Sequence, residues 1–360
     1  MEEIPGGNTH VRRLVLSGKL RGVKTLSLPM SRAGIDRAAE LRSDPARLAQ
    51  LWESAAILHF NSGKFHYRDG ITFFSADQIH ELQASSKFTT GEKFFLGFDG
   101  ELAYFAWCSE SSESSESSES SESSESSESS IGNEKSKSAS ETENPDFKTL
   151  REIGDELSDA EMGLAVHAQA LANWHHTHQF CSRCGATTTS SLGGSVRKCD
   201  KDASEHYPRT DPAIIVLVKD KDDRILLGRQ AVWPEHRFSN FAGFVEPGES
   251  FEHAVAREVT EESGLKVDEI IYLGSQPWPF PASIMIAFHA ITQNPEAARP
   301  DGTEIVEVRW YSRESMRAGI ADKTLLLPPA MSVSRRMLEA WYTSDGSDIS
   351  DLTGGERWQA

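Results

Sequence analysis

The sequence has little cysteine, no long apolar run and no excess of positive charge, and each gap excludes a class of protein. Four cysteines in 360 residues are too few for a disulfide framework. No stretch approaches the roughly 18 apolar residues that a membrane-spanning helix needs. The first residues, MEEIPGGNTHVRRLVLSG, lack the continuous apolar core of an export signal. We therefore expect a cytoplasmic protein that does not cross a membrane.

The charge balance limits the ligands. The formal net charge is −18, from 55 acidic and 37 basic side chains. This excess disfavours binding of nucleic acid along its backbone, because phosphates are repelled. A pyrophosphate bridged by metal ions remains compatible, since the cations reverse the local charge.

Length and composition predict several domains of a globular protein. A period-three Ser-Ser-Glu repeat runs from Ser109 to Ser130 and contains no aliphatic or aromatic residue, so it predicts a disordered insert in a surface loop. A phosphorylated acidic tract is the alternative for it. The predicted regions are an N-terminal domain (1–175) with the insert at about 109–144, a cysteine-containing segment (176–210), a compact α/β domain (211–345) and a flexible tail (346–360).

One helix carries the clearest chemical signal. Ser250 is a suitable N-cap, and Gly264 stands where a left-handed residue ends a helix. Gly243 lies in the preceding strand-to-loop turn, which needs a permissive backbone. The sequence therefore predicts a capped helix between Ser250 and Gly264.

Three carboxylates of this helix, Glu258, Glu261 and Glu262, are spaced i, i+3 and i+4 and share one face. Packed together they repel one another, and a hard divalent cation is the natural partner. A solvated acidic face is the alternative that these residues alone leave open. Glu249 and Arg257 are predicted to form an ion pair that fixes the loop.

The segment Gly243–Leu265 reads G-x5-E-x7-R-E-V-x-E-E-x-G-L, which matches the Nudix box at every specified position. Residues 211–342 therefore resemble Nudix hydrolases. The resemblance implies an α/β/α sandwich with a mixed sheet, in which the box forms a loop, a helix and a second loop. It also implies cleavage of a nucleoside diphosphate linked to another group.

A second stretch, Ser275–Ser283, resembles the SQPWPFPxS signature of the NADH pyrophosphatase branch of that family. Trp278 and Phe280 offer flat faces that can stack on a base or nicotinamide ring. A rigid aromatic turn that plugs the core is the alternative. Similarity at 206–212, 174–180 and 326–329 supports the same branch, which implies a preceding α+β domain and a small cysteine-containing ribbon.

The branch resemblance also implies roles for individual residues. The expected ligands of two or three Mg²⁺ or Mn²⁺ ions are the Ala242 carbonyl, Glu258, Glu261, Glu262 and Glu304. The catalytic residues are Glu258, Glu261 and Glu262, with Glu261 or Glu262 as the general base. The expected substrate contacts are Arg151, Tyr207, Phe244, Gln276, Pro277, Trp278, Pro279, Phe280, Pro281, Ala282, Ser283 and Ser334.

The cysteines depart from the branch, which usually carries a four-cysteine zinc ribbon. Cys181, Cys184 and Cys199 have ribbon spacing, but Asp202 and Ser204 stand where a fourth cysteine is expected. Two interpretations remain open. His206 completes a Cys3His zinc site, or the ribbon has decayed and folds without metal.

The resemblance thus implies that metal-activated water hydrolyses NADH or NAD⁺ to nicotinamide mononucleotide and AMP, in a homodimer. Removal of the NAD cap from RNA 5′ ends by the same chemistry is the alternative. A non-catalytic module that senses NAD derivatives is a further one, although it predicts a damaged box and every box position is intact.

Overall fold

The computed structural model describes residues 25–31, 35–84, 88, 91–109 and 146–352. These residues divide into two compact units, the first within 35–209 and the second made of 25–31 and 210–352. The predicted acidic insert lies outside the described residues, except that Ser109 belongs to a strand.

The first unit contains a six-stranded mixed sheet. Its strands are β1 (Ala56–Asn61), β2 (Lys64–His66), β3 (Phe73–Phe74), β4 (Glu92–Phe98), β5 (Ala103–Ser109) and β6 (Phe147–Thr149). The order is β4-β5-β1-β2-β6, with β3 on β1; β1 and β5 are parallel and the other pairs antiparallel. The helices are α1 (Pro45–Trp52), α2 (Ala76–Ala84), α3 (Leu150–Ile153) and α4 (Asp159–Thr177).

A small antiparallel ribbon completes this unit. It consists of β7 (Thr188–Ser191), β8 (Val196–Cys199) and β9 (Glu205–His206), in the order β7-β8-β9. The three cysteines at ribbon spacing lie at one end of it, two of them in the turn that precedes β7.

The second unit has the same kind of sheet. Its strands are β10 (Asp211–Lys219), β11 (Ile225–Gln230), β12 (Phe241–Phe244), β13 (Asp268–Trp278), β14 (Ser283–Ile291) and β15 (Ile305–Tyr311). The order is β13-β14-β10-β11-β15, with β12 on β10, and β10 and β14 are parallel. The helices are α5 (Phe251–Ser263), α6 (Arg313–Ala321) and α7 (Val333–Thr343).

Both faces of this second sheet are covered. Ile214 and Val216 of β10 pack with Val259 of α5, whereas Ile215 of the same strand packs with Met337 of α7. Successive residues of a strand point to opposite faces, so the uninterrupted apolar run 213–218 is explained by burial on both sides. The predicted α/β/α sandwich with a mixed sheet is confirmed.

The N-terminal segment 25–31 packs in the second unit, although the predicted boundary assigned it to the N-terminal domain. The Leu26 N–H donates to the Leu273 carbonyl at 2.7 Å, and Leu28 is buried in the core beneath α7. The segment therefore lies along the edge strand β13. Such a long-range contact leaves no signal in local periodicity.

The predicted flexible tail is wrong at its start. Ile349–Leu352 forms a short 3-10 helix, and Leu352 is fully buried in the core that contains α7. Arg335 donates to the Leu352 carbonyl at 2.7 Å, and the Tyr342 hydroxyl donates to Asp351 at 2.9 Å. One leucine with two polar anchors orders a segment whose composition is otherwise polar. Within the described ranges, no helix is long and apolar enough to cross a membrane.

Candidate metal and substrate site

The helix α5 has the predicted ends. The Ser250 hydroxyl accepts from the His253 N–H at 3.2 Å, and Gly264 has φ 67°, the left-handed conformation that ends a helix. Val255 and Val259 are fully buried on its apolar side. This packing fixes the rotation of the helix and directs its carboxylates toward β12.

Two of the three predicted carboxylates lie inward. Glu262 is only 5% exposed, and Glu258 lies against the backbone of Gly243, where a Cβ would collide with its carboxylate. Glu261 has a side chain that is 60% exposed. The glycine of β12 thus permits a close approach of α5 that any other residue would prevent.

The inward carboxylates are poorly compensated. Burial, together with the nearby charges of Glu304 and Glu258, raises the pKa of Glu262 to about 9. Burial also raises the pKa of Glu258, although Arg257 opposes the shift. Among the described residues, the Oε2 atom of Glu262 has no hydrogen-bond partner. This donor set of crowded, desolvated oxygens fits a hard divalent cation.

Glu304 joins the cluster from the segment before β15. Asp301 accepts hydrogen bonds from the N–H groups of Thr303, Glu304 and Ile305 at 2.7–3.0 Å, which fixes this turn. Gln230 donates to Glu304 Oε1 at 3.0 Å. Sequence reasoning missed both supports; the Asp301-Gly302 pair was the available turn signal.

Arg257 ties the loop of the Nudix box to the helix, as predicted. Its guanidinium binds both oxygens of Glu249 at 2.9 Å and donates to the Phe244 carbonyl at 2.9 Å. It also contacts Glu258 at 2.7 Å. The side chain of Phe244 remains exposed at the end of β12.

The predicted substrate loop connects β13 to β14. The rings of Trp278 and Phe280 meet edge to face, with centroids 5.0 Å apart. The Ala282 carbonyl accepts from the Asp211 N–H at 2.8 Å, which anchors the loop to β10. Pro277, Pro279, Pro281 and Ser283 lie in the same segment.

Gln276 lies at the base of this loop and is fully buried. Its Oε1 accepts from the Met30 N–H at 3.1 Å, and its Nε2 donates to the Met331 carbonyl at 3.0 Å. The amide therefore links three segments of the domain: the N-terminal segment, the loop and the turn before α7.

Ser334 is buried at the start of α7. Its hydroxyl contacts Ser239 Oγ at 2.9 Å and accepts from the N–H of Asn240 at 3.2 Å. It thus holds the approach to β12, a connection that was not predicted.

The remaining predicted substrate contacts belong to the first unit. Tyr207 is exposed just after β9, with its hydroxyl donating to Glu205 at 2.8 Å. Arg151 is exposed on α3.

The ribbon groups its cysteines with an aspartate. The ligand atoms of Cys181, Cys184, Cys199 and Asp202 all lie within 4.8 Å of one another. His206, the predicted fourth ligand, lies beside this group, with its Nε2 3.3 Å from Ser204 Oγ. It also approaches Cys181.

Three consecutive family models match the chain. They are the NADH pyrophosphatase-like rudimentary NUDIX domain at 54–174, the NADH pyrophosphatase zinc ribbon domain at 176–207 and the NUDIX domain at 209–330. The sandwich with its carboxylate-bearing helix is thus a Nudix hydrolase domain. The chain belongs to the Nudix family, in the branch with the domain order of the NADH pyrophosphatases.

Curated relatives match about half of the chain. The NAD-capped RNA hydrolase NudC of Mycobacterium bovis (strain BCG / Pasteur 1173P2) is 44% identical over 200 residues, which are 53% of this chain and 64% of that protein. The NAD-capped RNA hydrolase of Schizosaccharomyces pombe is 35% identical over 224 residues, 55% of this chain and 60% of that protein. The chain therefore covers less than two thirds of either relative.

Proposed function

We propose that the protein hydrolyses the pyrophosphate bond of NADH and NAD⁺ to nicotinamide mononucleotide and AMP. The observation that carries the proposal is the cluster of Glu258, Glu262 and Glu304. Glu262 is buried, with one oxygen that has no hydrogen-bond partner among the described residues, while Glu258 lies against Gly243 and the charge of the exposed Glu304 acts on Glu262. A structural role would favour neutral or paired side chains at these positions, because unpaired buried charges are costly.

We assign two or three Mg²⁺ or Mn²⁺ ions to the carbonyl of Ala242 and the four carboxylates Glu258, Glu261, Glu262 and Glu304. When bound, such cations neutralise the pyrophosphate and acidify water that attacks phosphorus. Arg257 holds the loop and Glu258 in the positions that this ligand set requires. The side chain of Glu261 is 60% exposed, so it is suited to accept the proton of the attacking water and pass it to solvent.

Recognition of the dinucleotide is assigned to exposed or loop aromatics. Trp278 and Phe280 form a bent aromatic surface on which a ring can stack, and such stacking is worth about 1–3 kcal/mol per base. Phe244 and Tyr207 are exposed and offer further faces. Gln276 has both ends of its amide engaged, so we assign to it support of the loop from beneath.

Removal of the NAD cap from RNA is the second candidate. It is favoured by the names of the relatives, which are NAD-capped RNA hydrolases. The cap presents the same pyrophosphate, so the same carboxylates would serve. Because the chain carries a net charge of −18, we expect contacts at the 5′ end rather than along the RNA. The homodimer and the cytoplasmic location stay predictions.

A hydrolysis panel tests both candidates. NADH, NAD⁺, ADP-ribose, FAD and NAD-capped RNA are incubated with Mg²⁺ or Mn²⁺, and products are identified by mass. We expect nicotinamide mononucleotide with AMP, or with a 5′-monophosphate RNA end, and at least about 10²-fold less product from Glu262→Gln. Tight binding of NADH without cleavage under any condition would favour the sensing module instead.

A further inference from the structure

The ribbon contains two turns of the same geometry. In the first, Cys181 is followed by Cys184 and then by Gly185, whose N–H donates to the Cys181 carbonyl at 2.9 Å. In the second, Cys199 is followed by Asp202 and then by Ala203, whose N–H donates to the Cys199 carbonyl at 3.1 Å.

The backbone repeats as well. The residue that closes each turn is left-handed, with φ 71° at Gly185 and φ 57° at Ala203. A left-handed alanine is unfavourable, so the second turn is kept at some cost. By this repetition, Asp202 occupies in the second turn the position that Cys184 occupies in the first.

Both turns direct backbone N–H groups at the first sulfur. Arg183 donates to Cys181 Sγ at 3.4 Å, and Lys201 and Asp202 donate to Cys199 Sγ at 3.4 Å. Such donors stabilise a thiolate over a thiol. They serve a metal ligand and have little value to a neutral buried cysteine.

The carboxylate of Asp202 is oriented toward the sulfurs. Its Oδ1 accepts from the hydroxyl of Ser204 at 2.6 Å and from the Ser204 N–H at 2.9 Å. Its Oδ2 lies 4.0 Å from Cys181 Sγ, on the side where Cys184 and Cys199 approach each other to 3.5 Å. One oxygen is thus fixed from behind while the other faces the three sulfurs, as outer hydrogen bonds orient metal ligands.

We infer that the ribbon binds one Zn²⁺ through the thiolates of Cys181, Cys184 and Cys199 and the carboxylate of Asp202. Aspartate oxygen is an accepted zinc ligand, and three thiolates with one carboxylate close a four-coordinate site. Ser204 and His206 are positioning residues: Ser204 fixes the carboxylate, and His206 contacts Ser204 and approaches Cys181 without belonging to the group of four ligand atoms. The site needs no decay of the ribbon and no histidine ligand, and it does not depend on the proposed hydrolysis.

The experiment uses the full chain and metal readouts alone. Zinc content is measured by elemental analysis after dialysis, zinc affinity by competition with a chromophoric chelator, and ligand type by the Co²⁺-substituted spectrum. The variants are Asp202→Asn, Asp202→Cys and His206→Ala. Asp200→Asn is the matched control, because Asp200 lies in the same turn but hydrogen-bonds Thr187 and Thr189 instead of facing the sulfurs.

We expect close to one zinc per chain in the parent protein, in Asp200→Asn and in His206→Ala. Asp202→Asn should lower the affinity for zinc by at least about 10- to 100-fold, which is the loss expected even when a residue that only orients a ligand is changed. Asp202→Cys should bind more tightly, and its thiolate-to-cobalt absorption should rise by about a third, from three thiolates to four. The comparison between the parent protein and Asp202→Cys remains informative if Asp202→Asn does not fold.

Three results would overturn the inference. The first is a parent protein without zinc after purification in the presence of zinc. The second is loss of zinc in His206→Ala with retention in Asp202→Asn. The third is a cobalt spectrum that is the same in the parent protein and in Asp202→Cys.

Discussion

The two six-stranded sheets of this chain have one topology but very different chemistry. In each, a long strand pairs in parallel with the fifth strand and antiparallel with the second and third, and a helix follows the third strand. In the catalytic domain that helix is α5; in the rudimentary domain it is α2. Helix α5 carries Glu258, Glu261 and Glu262, whereas the acidic residues of α2 are Asp77 and Glu81.

The difference begins at the strand before the helix. Gly243 of β12 pairs with Ile214, which packs with α5, and in the rudimentary sheet Phe74 of β3 pairs with Ile57, which packs with Ile79 of α2. The glycine lets a carboxylate lie on the strand, whereas a phenylalanine fills that space with a ring. Topology alone therefore positions a helix beside a strand, and the chemistry depends on a glycine, a six-residue loop and an arginine that fixes it.

The largest expected effect is a difference in activity between a variant on α5 and a matched variant on α2. Glu262→Gln keeps the shape of a buried ligand but removes its charge, so kcat should fall by at least about 10²-fold. Glu81→Gln on α2 is the matched control and should retain full activity. Comparable loss in both variants, or in neither, would remove the distinction between a catalytic and a rudimentary domain.

The next effect tests the glycine. In Gly243→Ala the new methyl group meets the Glu258 carboxylate, so we expect kcat to fall by about 10-fold or more, with weaker Mg²⁺ dependence, because small misplacements of reacting groups are costly. Gly319→Ala on α6, whose Cβ would lie 3.1 Å from Leu325, controls for adding a methyl group. Unchanged kinetics in Gly243→Ala would show that the close approach of α5 is dispensable.

Several elements of this comparison could be predicted from sequence and several could not. The ends of α5 and the Glu249–Arg257 pair follow from local rules of capping and spacing. The packing of Leu28, the anchoring of Leu352 and the burial of Gln276 depend on contacts between distant segments, which local patterns do not encode. The sequence left Asp202 and Ser204 as alternatives for the position of the missing cysteine, and the repeated turn geometry favours Asp202.

A smaller effect concerns the connection between the fourth and fifth strands, which is Pro279–Ala282 after Trp278 in the catalytic domain and Asp99–Leu102 in the rudimentary domain. Gln276→Leu leaves the Met30 N–H and the Met331 carbonyl without partners, at about 1–3 kcal/mol each. We expect a several-fold higher KM for NADH with kcat nearly unchanged, because Trp278 shifts while the carboxylates do not. Leu28→Ala should raise KM in the same way, although it is remote from substrate chemistry, whereas the exposed Gln293→Leu should not. A fall in kcat without a change in KM would contradict this role.

Glu262→Gln, which is expected to lower kcat, is also expected to raise the thermal stability of the metal-free protein. In metal-free protein the folded state holds the proton of Glu262 more tightly than the unfolded chain, because the pKa rises from 4.5 to about 9. The stability from this proton is complete below the unfolded pKa and is lost as pH rises toward the folded one. Glu262→Gln should therefore melt higher than the parent protein in chelator, by a margin that grows between roughly pH 5 and pH 8.

Two controls define that measurement. Glu252→Gln, exposed on the same helix, should show no pH-dependent margin. Saturating Mg²⁺ should stabilise the parent protein and reverse its order with Glu262→Gln, since only the intact cluster binds the cation. A margin that is constant with pH would mean that Glu262 is already ionised without metal.

The smallest effect is expected from shortening the segment that joins the fifth and sixth strands of the rudimentary domain, which differs from its counterpart in the catalytic domain. The segment between β14 and β15 carries Asp301 and Glu304, so it belongs to the proposed metal site. The corresponding segment between β5 and β6 carries the Ser-Ser-Glu repeat, which has no apolar residue to anchor it.

Ser109 itself belongs to β5 and hydrogen-bonds His59 and Asn61, so a deletion should begin after it. Removing residues 111–130 should change the free energy of unfolding by about 1 kcal/mol or less, because loop-closure entropy varies slowly with length, and should leave NADH hydrolysis intact. Denaturant titration and kinetics measure both. Loss of activity in the deletion variant would mean that the connection in the rudimentary domain, like its counterpart in the catalytic one, contributes to the site.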